Sequence, residues 1–472
     1  MLNHDELERR HQESLALLRR FTDHGVRYVQ MEMPDVNGTV RGKIVPLKKA
    51  LAAYGTGIST GLVAARSGDE LVATPFTSIE AGLPKMVALA DYATLQRWPW
   101  RPEMAAVLCD LVMEDGTPCP IDARHLLKRF LKVYEKERLE VRAAFEFEVC
   151  LFHGDPELLR QQRYRELRPF GRGWDFYSLT RFPSFESLAV TFMDRMAALG
   201  VQVEAFHTEL GQGMLEFTLA HEPALKAADD ATRAKLHLKQ LCEELGLVAS
   251  FMPVVHLGTG DSACGLHHNV SVWRDGMNAL WDGQTAGLSR LGRQLAAGMI
   301  ETMPDFHLVF RPWINSYRRM DRWLFSPENA SWAVDNHSVA LRVVHGAYPE
   351  KLTRLEHRVC GTDINPYLTL AVILWSGRYG IENDLDPGPY AERDPTKDSR
   401  FKPLARRLPE SIAAFKGSAR VRDCLGPLFV EHFAKLKEEE WSDFAAWARE
   451  NKIDAEAPAI TDWEFKHYFV WV

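Results

Sequence analysis

The sequence predicts a mixed α+β protein, with a smaller unit over residues 1–112 and a large one over residues 113–472. Three observations lead to that class. Strand-like runs, most of them alternating apolar and polar residues, recur at 26–33, 39–45, 141–152, 201–209, 213–219 and 265–273, and period-two alternation marks half-buried strands. Stretches with helical spacing fall between them irregularly, at about 4–22, 123–136, 184–198, 222–244 and 286–302. Several strands follow one another across short turns, which points to hairpins more than to regular βαβ units.

In the first unit, Leu7, Leu15, Leu18 and Phe21 recur at helical spacing among charges. Val26 to Met33 then reads as a strand, Asn37-Gly38 as a hairpin turn, and Thr39 to Val45 as the return strand. The glycine-rich stretch Gly55 to Gly61 is expected to be a loop, and it lacks the spacing of a phosphate-binding P-loop. Met86 to Asp91 and Ala105 to Met113 are further strands. The character changes at the turn Glu114-Asp115-Gly116-Thr117-Pro118, ahead of the helix Ala123 to Lys136. A strand is also expected over 247–255, a Pro-, Asp- and Arg-rich connector over 383–408, and closing helices at about 409–415 and 428–450.

Composition narrows the function. With 46% hydrophobic and 26% charged residues, the chain is ordinary for a globular protein. The net charge of −7 gives no reason to expect nucleic acid or an anionic membrane as partner. No apolar run reaches the length of a membrane span. Seven scattered cysteines without a CxxC pair suit a reducing, cytoplasmic setting and signal neither a disulfide framework nor a zinc site.

The stretch with most chemical content is Phe145-Glu146-Phe147-Glu148-Val149. Residues two apart on a strand share a face, so Glu146 and Glu148 point one way and the apolar residues the other. Like charges side by side are unfavourable without a positive partner, and a hard divalent cation is the usual one. Solvated carboxylates are commoner than ligands, so the pair needs company. Glu209 and Glu216 flank the turn Leu210-Gly211-Gln212-Gly213 and can meet across a hairpin. His267 and His268 sit on opposite faces of one strand, so only one of them can face that metal. Arg354, Glu356 and Arg358 share a face, with Arg318, Arg319 and Arg342 supplying more positive charge. Carboxylates, one histidine and several arginines on neighbouring strands suit metal-assisted phosphoryl transfer.

These residues resemble the glutamine synthetase family, over most of the chain from Val26 to about Gly377. The likeness rests on Glu146-Phe-Glu148, on Glu209 and Glu216 around Gly211-Gln212-Gly213, and on Gly265-Leu266-His267. It also rests on Asn315-Ser316-Tyr317-Arg318-Arg319 and on Arg354-Leu355-Glu356-His357-Arg358 followed by Asn365-Pro366-Tyr367-Leu368. The resemblance implies an N-terminal β-grasp domain and a catalytic domain built on a curved antiparallel sheet. It implies that Glu148, Glu209 and Glu216 hold one Mg2+ or Mn2+ ion, and Glu146, His267 and Glu356 another. Arg319, Arg358 and His337 would be catalytic, with Gly265, Arg319 and Arg358 binding glutamate and Ser271, Arg342 and Arg354 binding ATP. It implies a homo-oligomeric ring, a dodecamer in many relatives, in which the 55–61 segment closes a neighbour's site.

The departures bear on the nucleophile. Where ammonia-using members carry an aspartate that binds ammonium, this chain has Ser59; where they carry a flap glutamate, it has Phe325, with Glu328 three residues on as a possible substitute. His337 stands in place of an arginine, and Asn269 in place of a second histidine. Loss of carboxylates removes the means to hold and deprotonate a cation such as ammonium. The expectation is an ATP-dependent ligase that phosphorylates the γ-carboxylate of glutamate and joins it to an organic, and best an aromatic, amine, with Ser59, Tyr177 and Phe325 in the amine pocket. The competing readings are an ordinary ammonia-using glutamine synthetase and a catalytically silent relative; decayed metal ligands would mark the latter, and all six are in place.

Overall fold

Most charged positions of helix α1 (His4–Asp23) face water, while Leu17 and Phe21 pack inward with Arg10, whose guanidinium donates to the Ala53 and Ala90 carbonyls at 3.1 and 2.9 Å. The computed structural model describes residues 4–171, 176–255, 263–283, 287–321 and 325–472. Strands β1 (Tyr28–Pro34) and β2 (Val40–Pro46) form the expected hairpin, and its turn holds Gly38 at a φ of +87°. Strands β3 (Thr56–Ser59), β4 (Lys85–Ala90) and β5 (Met104–Met113) complete a sheet in the order β2-β1-β5-β4-β3, with β1 and β5 parallel. The expected loop at 55–61 is thus partly a strand. Ile58 is buried, and Gly55 lets the backbone approach the Ala88 carbonyl so closely that a Cβ would lie 2.6 Å from it.

Beyond helix α2 (Ala123–Lys136), a larger sheet is built around the long strand β6 (Glu140–His153). Helix α3 (Phe182–Ala198) precedes the hairpin of β7 (Val203–Thr208) and β8 (Met214–Leu219), and helix α4 (Ala224–Glu244) leads to β9 (Leu247–Ser250). The strand expected over 247–255 therefore stops early. Strand β10 (Leu266–Arg274), helix α5 (Arg290–Thr302) and the short strands β11 (Trp332–Val334), β12 (Leu341–Val344) and β13 (Arg354–His357) follow. The order across the sheet is β11-β12-β13-β10-β6-β8-β7, antiparallel apart from β11 with β12. One face carries Phe145, Phe147 and Phe217 into the core, where Phe147 stacks on Phe217 at 5.1 Å. The other face is polar and concave, and it bears the site.

Helix α6 (Pro366–Glu382) lies under this assembly and is buried on nearly every side. Asn365 caps it, its side-chain oxygen accepting from the backbone N–H groups of Tyr367 and Leu368 at 2.9 and 3.1 Å. The same side chain donates to the Asp35 carbonyl at 2.9 Å, which ties the helix to the β1–β2 turn. The two sheets are pinned together again by buried Arg124, whose guanidinium donates to Asp91, Asp110 and Asp229. Helix α7 (Pro427–Glu450) closes the chain's helical flank, and no helix among the described residues is long and apolar enough to cross a membrane.

Candidate active site

Strand register assembles the site row by row. Glu216 on β8 lies directly opposite Glu148 on β6 and His207 on β7, so these three stand in one line across three strands. Glu146 lies opposite His267 on β10. Glu356 on β13 lies opposite both Asn269 on β10 and Arg342 on β12. Directly opposed residues of an antiparallel pair share a face and bring their Cβ atoms to about 5 Å. The polar face therefore concentrates its charges because the alternation on each strand is in phase with its neighbours.

Two clusters result, each offering three donor atoms within 4.8 Å of one another: Glu146, His267 and Glu356, and His207, Glu209 and Glu216. His207 enters where the sequence pointed to Glu148. Glu148 stands beside this second cluster, half-buried, and one of its carboxylate oxygens accepts the Gly265 N–H. The signal for His207 was present in the sequence, since it precedes Glu209 by two residues in one strand-like run that the structure ends at Thr208.

The electrostatics fit a cation. Burial raises the Glu209 carboxyl to about 7, helped by the charges of Glu148 and Glu216. Burial and the nearby Glu216 charge likewise push Glu148 up. Three carboxylates crowded this way do not ionise together without positive charge. In the first cluster burial is overcome: the hydrogen bond and charge of His267, with the Asn269 amide and Arg354, bring Glu146 down to about 2. Asn269 Nδ2 donates to Glu146 at 2.7 Å and His267 Nδ1 lies 3.1 Å from it. Oxygen donors with one imidazole per cluster suit Mg2+ or Mn2+.

Arginines rim the carboxylates. Arg358 bonds Glu356 through Nη1, and its Nε donates to the His337 carbonyl at 3.1 Å. Arg342 Nη1 donates to the other Glu356 oxygen at 3.1 Å. Arg319 is buried and donates to the carbonyls of Val359 and Cys360 at 3.3 and 2.6 Å, and its Nε has no partner among the described residues. It is held in place by the segment before it: Asn315 pairs with Val254 through both side-chain atoms, and Ser316 donates to Asp363 at 2.6 Å. A Cβ on Gly265 would lie 2.6 Å from Arg319 Nη2. Gly265→Ala is thus expected to displace the guanidinium and destabilise the fold by about 1–3 kcal/mol, a loss that urea unfolding would register.

Glu146, Glu148, Glu209, Glu216 and Glu356, with His267, Arg319, Arg342 and Arg358, line one cavity of about 240 Å³, and Phe176, Tyr177, Leu210, Met214, Ala263, Phe325 and His337 form its remaining wall. Tyr177 stacks on His207 with ring centroids 4.3 Å apart, and Phe176 meets Tyr177 edge-on at 4.6 Å. Tyr177 and Phe325 both have positive φ, +52° and +51°, a conformation bulky residues adopt only when the surroundings enforce it. Burial holds the His337 imidazole below its ordinary range, so it is neutral near pH 7.

Four expected residues are not among those that line the cavity, and one of them, Gly265, lies against its wall with its N–H donating to Glu148. Ser59 ends the edge strand β3, where its hydroxyl accepts the Gly61 N–H at 3.0 Å, and it does not line the cavity of its own chain. Ser271 shares the polar face but accepts from Trp273 Nε1 at 2.9 Å, and Arg354 donates to Asn269 Oδ1 at 2.7 Å; neither lines the cavity. Glu328, three residues past Phe325, is also outside the cavity lining and pairs with Arg406 at 2.6 Å.

Comparison with known proteins bears on the family and the fold. The profile of the glutamine synthetase catalytic domain matches residues 120–467. A glutamate–isopropylamine ligase from a Pseudomonas species is 30% identical over 94% of this chain and 95% of its own length. The type-1 glutamine synthetase 2 of Dictyostelium discoideum is also 30% identical, over 88% of this chain and 81% of its own. The solved structure of ligand-free GmaS superposes with a TM-score of 0.77 at 24% identity, covering 95% of this chain and 98% of that one, a likeness of fold.

Proposed function

The chain belongs to the glutamine synthetase family, and from that premise we propose that it is an ATP-dependent carbon–nitrogen ligase joining the γ-carboxylate of L-glutamate to an organic amine. Whole-chain identity does not select the nucleophile, because an amine ligase and a glutamine synthetase match equally well at 30%. The cavity wall carries the reading. Among the described residues, its five carboxylates are Glu146, Glu148, Glu209, Glu216 and Glu356, all of them in or beside the two clusters. None is left over to hold an ammonium ion, while Phe176, Tyr177, Leu210, Met214 and Phe325 offer an apolar and aromatic surface. An aniline is neutral at pH 7 and needs no carboxylate, so a flat aromatic amine suits this wall best.

The roles follow from position. Mg2+ or Mn2+ held by the two clusters, with Glu148, would neutralise charge on the phosphate oxygens of ATP. Arg319 and Arg358 orient the glutamate carboxylates and balance charge on the phosphoryl group as it moves to the γ-carboxylate. Arg342, with Arg354 and Ser271 further out on the same face, would serve the ATP side. The amine then attacks the acyl phosphate and expels phosphate. Its surplus proton passes to a neutral acceptor at the wall, and the His337 imidazole is suitably placed and uncharged. Tyr177 and Phe325 exclude water from the acyl phosphate. Ser59 can take part only if a ring of copies brings the 55–61 segment of one chain to the cavity of the next.

Phe325→Glu tests this assignment. Restoring a carboxylate at the wall is expected to shift the ratio of kcat/KM for ammonium over amine by about tenfold or more toward ammonium, with ATP binding unchanged. An unchanged ratio would place Phe325 outside the amine site.

A further inference from the structure

The reverse face of the catalytic sheet is apolar around Phe145, Phe147, Phe217 and Leu355, and two histidines interrupt it. His268 on β10 and His357 on β13 are directly opposed in register, both fully enclosed, with ring centroids 6.1 Å apart and planes at 89°. Among the described residues, neither ring nitrogen of His357 reaches a hydrogen-bond partner on another residue, and Nδ1 of His268 has none. A neutral imidazole carries one N–H and one lone pair, so His357 leaves a donor and an acceptor unanswered where buried polar groups are normally satisfied. The buried, free Cys360 completes the group: one donor atom from each of His268, His357 and Cys360 lies within 4.8 Å of the other two.

We propose that His268, His357 and Cys360 form a second metal site, structural in role, that takes one thiophilic cation, Zn2+ or Cu+, behind the catalytic sheet. The donor set is two nitrogens and a sulfur with no carboxylate, which selects against the hard Mg2+ and Mn2+ of the front face. Thr369 Oγ1 holds His268 Nε2 at 2.8 Å, which orients the ring and leaves Nδ1 as its donor. On binding, the Cys360 S–H bond breaks, a sulfur–metal bond forms, and the proton leaves to solvent. Two guanidiniums constrain the charge. Arg311 Nε donates to the Val359 carbonyl at 3.1 Å and Arg319 Nη1 to the Cys360 carbonyl at 2.6 Å. Exchange of the thiol proton for Cu+ leaves the net charge beside them unchanged, whereas Zn2+ adds one unit, so Cu+ is the tighter of the two. His268 follows His267 in the chain, and His357 lies between Glu356 and Arg358. An ion behind the sheet thus clamps the two strands that present those side chains to the front.

The site is closed, so the ion enters as the chain folds. The full-length protein would be produced with added Zn2+ in one arm and Cu+ under reducing conditions in the other, dialysed against EDTA, and its metal counted by elemental mass spectrometry. About one equivalent of zinc or copper per chain is expected to survive dialysis in at least one arm. That equivalent should persist in E146Q, which removes a front-face donor, and fall to background in C360S and H357F. Retention in neither arm, or retention untouched by C360S and H357F, overturns the proposal. Should a variant fail to fold, the wild-type count in the two arms still decides.

Discussion

Glu356→Gln is expected to lower glutamate-dependent ADP release by about three orders of magnitude. Glu356 is the hub of the polar face: it accepts from Arg342 at 3.1 Å and from Arg358, and it shares a donor cluster with Glu146 and His267. An amide keeps the shape but removes the charge. It also turns an NH2 toward one of two guanidiniums, so Arg342 and Arg358 no longer hold their orientation. Breaking a buried pair this way costs about 3–5 kcal/mol. The variant should therefore be assayed well below its melting temperature, with circular dichroism reporting the folded fraction. An acyl-phosphate yield equal to wild type in the folded variant would remove Glu356 from the site.

The second large effect is in pH. Glu209 titrates near 7 in the metal-free chain because of burial and the charges of Glu148 and Glu216. Between its ordinary value of 4.5 and about 7, the folded chain holds a proton that the unfolded chain has released. More protons are bound in the folded state, so the stability of the metal-free protein falls as pH rises through that window. A cation needs the ionised carboxylate, and binding it expels this proton. Apparent Mn2+ affinity is expected to fall about tenfold for each pH unit below about 7. Calorimetric titrations across that range check the slope, and Glu209→Gln should flatten it. An affinity independent of pH in the wild type would mean that Glu209 holds no ion.

The parts of the site that run in period two were legible in the sequence. Glu146 beside Glu148, Glu356 beside Arg358 and the assignment of His267 and His268 to opposite faces follow from strand alternation, whereas the place of Glu216 opposite Glu148 is a matter of strand register that alternation does not give. Helix α6 escaped because it is apolar on all sides, so no amphipathic stripe marks it, and only the Asn365-Pro366 cap signals its start. The 55–61 segment was misread because its glycines suggested a loop, when Gly55 instead permits close backbone approach beside an edge strand. Leu210, Met214 and Ala263 reach the cavity through tertiary packing, for which no local pattern exists. Phe325 was singled out by comparison with family motifs, and its place at the cavity wall is a matter of folding that spacing alone could not give.

The central claim is that the cavity takes an organic amine in place of ammonium. Coupled ADP release with ATP, glutamate and Mg2+ or Mn2+, run in parallel with ammonium, alkylamines such as isopropylamine, polyamines and anilines, tests it most directly. The account predicts the highest kcat/KM with a neutral or apolar amine, the γ-glutamylamide appearing in step with ADP. A kcat/KM for ammonium above that of every amine would contradict it.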